Sequence, residues 1–174
     1  FYKGVSLPGT GVVTVEASVV ELVRCRIVGG LAYIDQRHPV DGGAGLIIDE
    51  QSDVRLSLSE VSGGDGSDLS DTCGFTCTPS NGGPAVQIQG ASNLVITGDG
   101  PQEINGGMEG VVEWDEGSEG PALLVQEAST VRYSGVELGG FPSSFGSDPI
   151  VEESGGVAYL VSISDPTMQF VGDP

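Results

Sequence analysis

GPALLVQEASTVRYSGVELGG, residues 120–140, decides the fold, because looser copies of it stand on both sides. They are AGLIIDEQSDVRLSLSEVSGG from Ala44, PAVQIQGASNLVITGDG from Pro84, VAYLVSISDPTMQFVGD from Val157 and, most divergent, GVVTVEASVVELVRCRIVGG from Gly11. Each copy is a short apolar run, a small polar corner, an alternating run and then glycine. A repeat of this length is the sequence mark of a stacked architecture.

Aligned on the second run, one column holds Val23, Val54, Leu94, Val131 and Met168, and the column two residues on holds Cys25, Leu56, Ile96, Tyr133 and Phe170. Residues two apart on a strand share a face, so both columns point into one interior. Arg24, Arg55, Val95, Arg132 and Gln169, between them, point out. Eight residues upstream of the first column stand Val15, Leu46, Val86, Leu123 and Leu160. A constant offset means two strands and a fixed corner per copy, and the corner carries Ser52, Ser92, Ser129 and Pro166, residue types that turn the backbone or bond to it.

Copies this short cannot bury an apolar face alone, whereas stacked copies build a continuous core. The expected fold is all-β: a parallel β-solenoid of about five coils with long loop excursions, on the order of 24 Å tall at the usual strand spacing. A β-sandwich is the competing arrangement of the same strands, but it has no reason to repeat one residue class in one column. The glycine pairs Gly29-Gly30, Gly63-Gly64, Gly106-Gly107 and Gly139-Gly140 close the copies, and are expected to supply positive φ at tight corners. No window keeps helical apolar spacing without a glycine or proline breaking it.

The glycine-terminated apolar runs followed by S-x-V-x-hydrophobic segments resemble the right-handed parallel β-helix repeats of the pectin-lyase-like superfamily, in particular its non-catalytic secreted and surface branch. The resemblance covers nearly the whole chain and implies a right-handed coil. Enzymes of that superfamily place an arginine or lysine base beside calcium-binding aspartates, or group two or three aspartates on one strand face. Here Arg24, Arg55 and Arg132 fall in one repeated column, and no Asp-Asp pair occurs in the sequence. No G-x-S-x-G elbow or phosphate loop in a βαβ context is present either. The only histidine, His38, sits in a connection between Arg37 and Pro39. The chain therefore reads as a non-enzymatic module rather than an enzyme, with a carbohydrate-binding or polysaccharide-processing (lyase- or hydrolase-like) β-helix as the alternative.

A net charge of −19, with Lys3 the sole lysine, argues against nucleic-acid binding, which needs cations for the phosphates. No apolar stretch approaches the length of a membrane span, so membrane insertion is not expected. Cys73 and Cys77 in the longest connection are close enough to form a small disulfide loop, which points to an extracellular or cell-surface setting. Asp65, Asp68 and Asp71 in the same connection are a candidate calcium site, although they lack the alternating order of a calcium loop; no other cofactor is implied. Trp114, with Glu113, Asp115 and Glu116, is a candidate carbohydrate contact: an aromatic face stacks on a sugar while carboxylates accept its hydroxyls. A solenoid end without a covering segment after the last copy points to further coils in a longer parent chain or to docking on another subunit. The expected partners are other protein subunits or cell-surface components, with a polysaccharide as the alternative ligand.

Overall fold

The computed structural model describes residues 13–32, 41–67, 79–98, 102–112, 115–139 and 148–161, and only the backbone of 112, 115 and 116. All of its regular structure is β. The chain lays down β1 (Val13–Glu16), β2 (Val19–Val23) and β3 (Arg26–Val28), and repeats the motif as β4 (Leu46–Asp49), β5 (Asp53–Ser57) and β6 (Glu60–Ser62). It does so again as β7 (Val86–Ile88), β8 (Asn93–Thr97) and β9 (Glu103–Asn105). A small hairpin, β10 (Val111–Val112) and β11 (Asp115–Glu116), intervenes before β12 (Leu123–Val125), β13 (Thr130–Ser134) and β14 (Glu137–Gly139). The last described strands are β15 (Ile150–Glu152) and β16 (Val157–Leu160).

Corresponding strands stack into three parallel sheets, ordered β1-β4-β7-β12-β15, β2-β5-β8-β13-β16 and β3-β6-β9-β14. Among the described strands only the hairpin β10–β11 is antiparallel. This is the stacking expected of a parallel β-solenoid, since a sandwich would pair neighbouring strands antiparallel. Inward columns run through the sheets: Leu46, Val86 and Leu123 are joined by Ile48, Ile88 and Val125, then Val54, Leu94 and Val131, then Leu56 and Ile96, then Ile27, Val61 and Ile104. All of these are buried in one core cluster. Identical residue classes stacked in this way let each side chain meet its like above and below, which is how short strands assemble one continuous apolar interior.

The register corrects the expected alignment at both ends. In the first tier Val20 and Leu22, not Val23 and Cys25, stand over Val54 and Leu56. Arg24 is then not part of the outward column. It occupies the bend after β2 at φ 52°, and Glu21 takes the place beside Arg55. Cys25, half-buried, stacks instead on the corner residue Ser59, to whose Oγ its amide donates (3.0 Å). At the other end, Val157–Leu160 forms a second-sheet strand stacked on β13, while the first-sheet strand is β15, inside what reads as a loop. Second-sheet equivalents Val20, Val54, Leu94, Val131 and Ala158 are therefore 34, 40, 37 and 27 residues apart by number. Pro166, Met168 and Phe170 lie outside the described residues.

Two columns of corners hold the tiers together. Between the first and second sheets the chain bends through consecutive left-handed residues, Glu50-Gln51, Gly90-Ala91, Glu127-Ala128 and Ser154-Gly155, with φ between 52° and 85°. A buried serine follows: the amides of Ser18, Ser52 and Ser92 donate to Oγ of Ser52, Ser92 and Ser129 in the next tier at 3.1–3.2 Å. Each hydroxyl thus satisfies a buried N–H that the bend removes from the strand ladder.

The second column is made of glycine. After the third-sheet strand each winding leaves the core through Gly30, Gly64 or Gly107, and it returns through Gly43, Gly83 or Gly120. These segments interleave, so that N–H of Gly43 donates to Gly30 O, Gly64 to Gly43, Gly83 to Gly64, Gly107 to Gly83 and Gly120 to Gly107, all at 2.8–2.9 Å. The expected positive φ is not found at Gly29-Gly30, Gly63-Gly64 or Gly106-Gly107. Their role is close approach: a Cβ on Gly83 would overlap the carbonyl oxygens of Gly42 and Gly43, and one on Gly64 that of Gly30. At Gly139 the added atom would instead meet the side chain of Asn105.

Candidate functional site

The glycine file fixes where the excursions emerge. The described ends of the excursions 31–41, 65–81 and 108–119 all depart and return beside it, in successive tiers. The bases of these excursions are themselves stacked. Ala32 donates to Asp65 O (3.0 Å), Gly66 to Met108 O (2.7 Å) and Gly110 to Ser80 O (2.8 Å). Side chains add to this layer: Asp41 Oδ1 accepts the Asn81 amide (2.7 Å), Asn81 Oδ1 accepts the Ser118 amide (2.9 Å) and Asp65 Oδ1 accepts the Met108 amide (2.9 Å). Ser67 and Ser80 close the base of the middle excursion, the Ser67 amide donating to Ser80 Oγ (2.6 Å) and that hydroxyl donating to Ser67 O (3.0 Å). Buried polar atoms are in this way paired at the foot of a chain excursion that would otherwise strand them.

Of the candidate residues, only Asp65 has a described side chain. Asp65 belongs to the stacked base, where its carboxylate bonds a backbone amide. Asp68, Asp71, Cys73 and Cys77 lie between Ser67 and residue 79, outside the described residues, as do His38, Glu113 and Trp114. Glu113 and Trp114 join Val112 to Asp115, which pair directly as the last rung of β10 and β11. Asp115 and Glu116 are backbone members of β11, so the hairpin belongs to the excursion that returns through Ser118 and Gly120. The bonds Gly66 to Met108 and Gly110 to Ser80 bring the bases of the calcium-candidate and carbohydrate-candidate excursions together, a proximity the sequence does not announce. Among the described residues no three His, Cys, Asp or Glu side chains group as metal ligands.

Away from the excursions, the outer faces show how so acidic a chain stacks at all. Glu16, Asp49, Gln89, Gln126 and Glu153 form one outward column of the first sheet, following the register of the strands beside them. Gln89 Nε2 donates to Asp49 Oδ2 (2.7 Å) and Gln126 Nε2 to Glu153 Oε2 (2.8 Å), while Gln87 bridges Gln89 and Gln126 (3.0 and 3.3 Å). Amides interposed between carboxylates turn like-charge repulsion at strand spacing into hydrogen bonds. On the second sheet Asn93 Nδ2 likewise donates to Asp53 Oδ1 (2.9 Å).

A shallow groove on the third sheet is lined by Arg26, Ile27, Glu60, Val61, Ser62, Glu103 and Asn105. Its ion pair, Arg26 to Glu60 at 3.5 Å, is exposed on both sides and contributes little. The groove went unseen in the sequence because each third-sheet strand has only three residues and no readable alternation. It contains one cation and two glutamates from successive tiers, an arrangement the repeat itself produces. No family model, curated protein or solved structure matches this chain.

Proposed function

We propose that this chain is a right-handed parallel β-helix of the pectin-lyase-like kind, serving outside the cell as a non-enzymatic structural or adhesive module of a surface protein, fibre or surface layer. The observation that carries this reading is the division of labour between two parts of the backbone. The windings are locked tier to tier by the glycine file and the serine corners, and the excursions leave on a stacked base. A scaffold of this kind sets the points at which loops leave it, and loops carried on a rigid frame suit contact with other protein subunits or cell-surface components. The acidic, lysine-poor composition and the cysteines Cys73 and Cys77 support the extracellular setting.

The test is to replace residues 68–78 by a short glycine-serine link and to compare capture of solubilised cell-envelope proteins and melting temperature with the parent. Loss of capture at an unchanged melting temperature is the expected result. Unchanged capture would remove the adhesive role of that excursion.

A second reading, carbohydrate binding at Trp114 with Glu113, Asp115 and Glu116, draws support from the direct pairing of Val112 with Asp115, the residues that flank Glu113 and Trp114 in the sequence. A glycan array gives no signal for a Trp114→Ala variant if this reading holds. Equal binding by variant and parent, or silence from both, discards it. Calcium at Asp65, Asp68 and Asp71 would show as heat on titration and a rise in melting temperature.

A further inference from the structure

The inward column Val15, Ile48, Ile88, Val125 is aliphatic for four tiers and then ends in Glu152. At this tier Glu152 is exposed, so its charge stays in water while its carboxylate remains within reach of the neighbouring strand. Here Glu152 Oε1 accepts the amide N–H of Ala158 at 2.7 Å. The direction of that amide gives the contact its meaning. In β16 the amides of Val157 and Val161 donate to Ser129 and Tyr133 of β13, so the alternate amides, those of Ala158 and Leu160, face the opposite way. Among the described strands β16 is the outermost of its sheet, and no described strand pairs on that opposite side.

The serine corner ends at the same level. Gly156 follows the left-handed pair Ser154-Gly155, where Ser52, Ser92 and Ser129 follow theirs, so no hydroxyl is offered and the amide of Ser129 turns back to Gln126 O (3.0 Å). An independent element of the repeat therefore also stops here. Leu160, 74 % exposed, and Tyr159 stand beside this edge and would otherwise make it an apolar template.

We infer that Glu152 is a strand-edge guard: its carboxylate occupies the Ala158 edge donor and puts a charge at the end of the core, so that a second copy of this chain cannot extend the second sheet at β16. The inference narrows the fibre-forming version of the proposed function, since end-to-end addition at this edge is blocked in the unmodified protein.

Two measurements test it. In hydrogen exchange on the intact chain, the Ala158 amide is protected at least about tenfold over that of Leu160, which faces the same way with no partner among the described residues, and Glu152→Ala abolishes the difference. Equal exchange in the parent overturns the contact. In sedimentation velocity over a hundredfold concentration range, the parent and Glu152→Gln, which keeps an acceptor oxygen, do not associate through this edge. Glu152→Val, which restores the aliphatic column, forms end-to-end oligomers that Leu160→Lys in the same chain reverses. A Glu152→Val protein as monodisperse as the parent, or a parent whose self-association Leu160→Lys abolishes, overturns the guard. Should Glu152→Val not fold, the exchange comparison decides alone.

Discussion

The serine corner and the glycine crossing both carry a file of tier-to-tier hydrogen bonds, yet by opposite chemistry. At the corner the chain turns through strained left-handed residues, and a side chain supplies the acceptor. At the crossing there is no room for any side chain, and backbone meets backbone. The corner can lose a hydroxyl and keep its shape. The crossing cannot gain a methyl group without parting the tiers.

Gly83→Ala should have the largest effect. Its new Cβ overlaps two backbone carbonyls that cannot swing aside, and loss of about 4–5 kcal/mol or failure to fold is expected by chemical denaturation. Gly155→Ala sharpens the comparison. That glycine has φ 85° but nothing closer than 3.9 Å to an added Cβ, so only conformational strain of about 1 kcal/mol applies. Equal costs for the two would mean that the crossing does not depend on close approach. Next in size is Ser92→Ala, which orphans the buried amide of Ser52 and should cost about 1–3 kcal/mol without disturbing the neighbouring tiers.

Gln102 gives the smallest effect and the opposite sign. It stacks on the corner column of Cys25 and Ser59, is 2 % exposed, and has neither amide atom paired among the described residues. Gln102→Met, similar in shape and free of polar hydrogens, should be neutral or stabilise by about 1 kcal/mol in the same assay. Thiol titration of the unfolded, unreduced protein should find one thiol per chain, that of Cys25. Three would remove the proposed link between Cys73 and Cys77.

The middle tiers were legible in the sequence because apolar alternation and spacing agree there: Val54, Leu94 and Val131 over Leu56, Ile96 and Tyr133 are in the register the repeat implies. The first tier slipped because VVELVRC alternates acceptably in two registers, and only the bend at Arg24, a residue with no sequence signal for positive φ, chooses between them. In the last tier Glu152 breaks the apolar pattern of β15 and hides the strand, so the next apolar run, Val157–Leu160, carries the stronger sequence signal. The glycine pairs were visible but their purpose was not, since exit and entry segments 13 to 19 residues apart meet only in the fold, as Gly30 with Gly43 and Gly64 with Gly83. Site residues were proposed from composition within each connection. That the bases of the connections stack on one another depends on the crossing.

The stacked interior can be tested directly by methyl and aromatic nuclear Overhauser contacts between tiers. The account predicts cross-peaks linking Leu56 to Ile96 and Ile96 to Tyr133, and in parallel Ile48 to Ile88 and Ile88 to Val125. A spectrum in which Ile96 contacts neither Leu56 nor Tyr133 would contradict it.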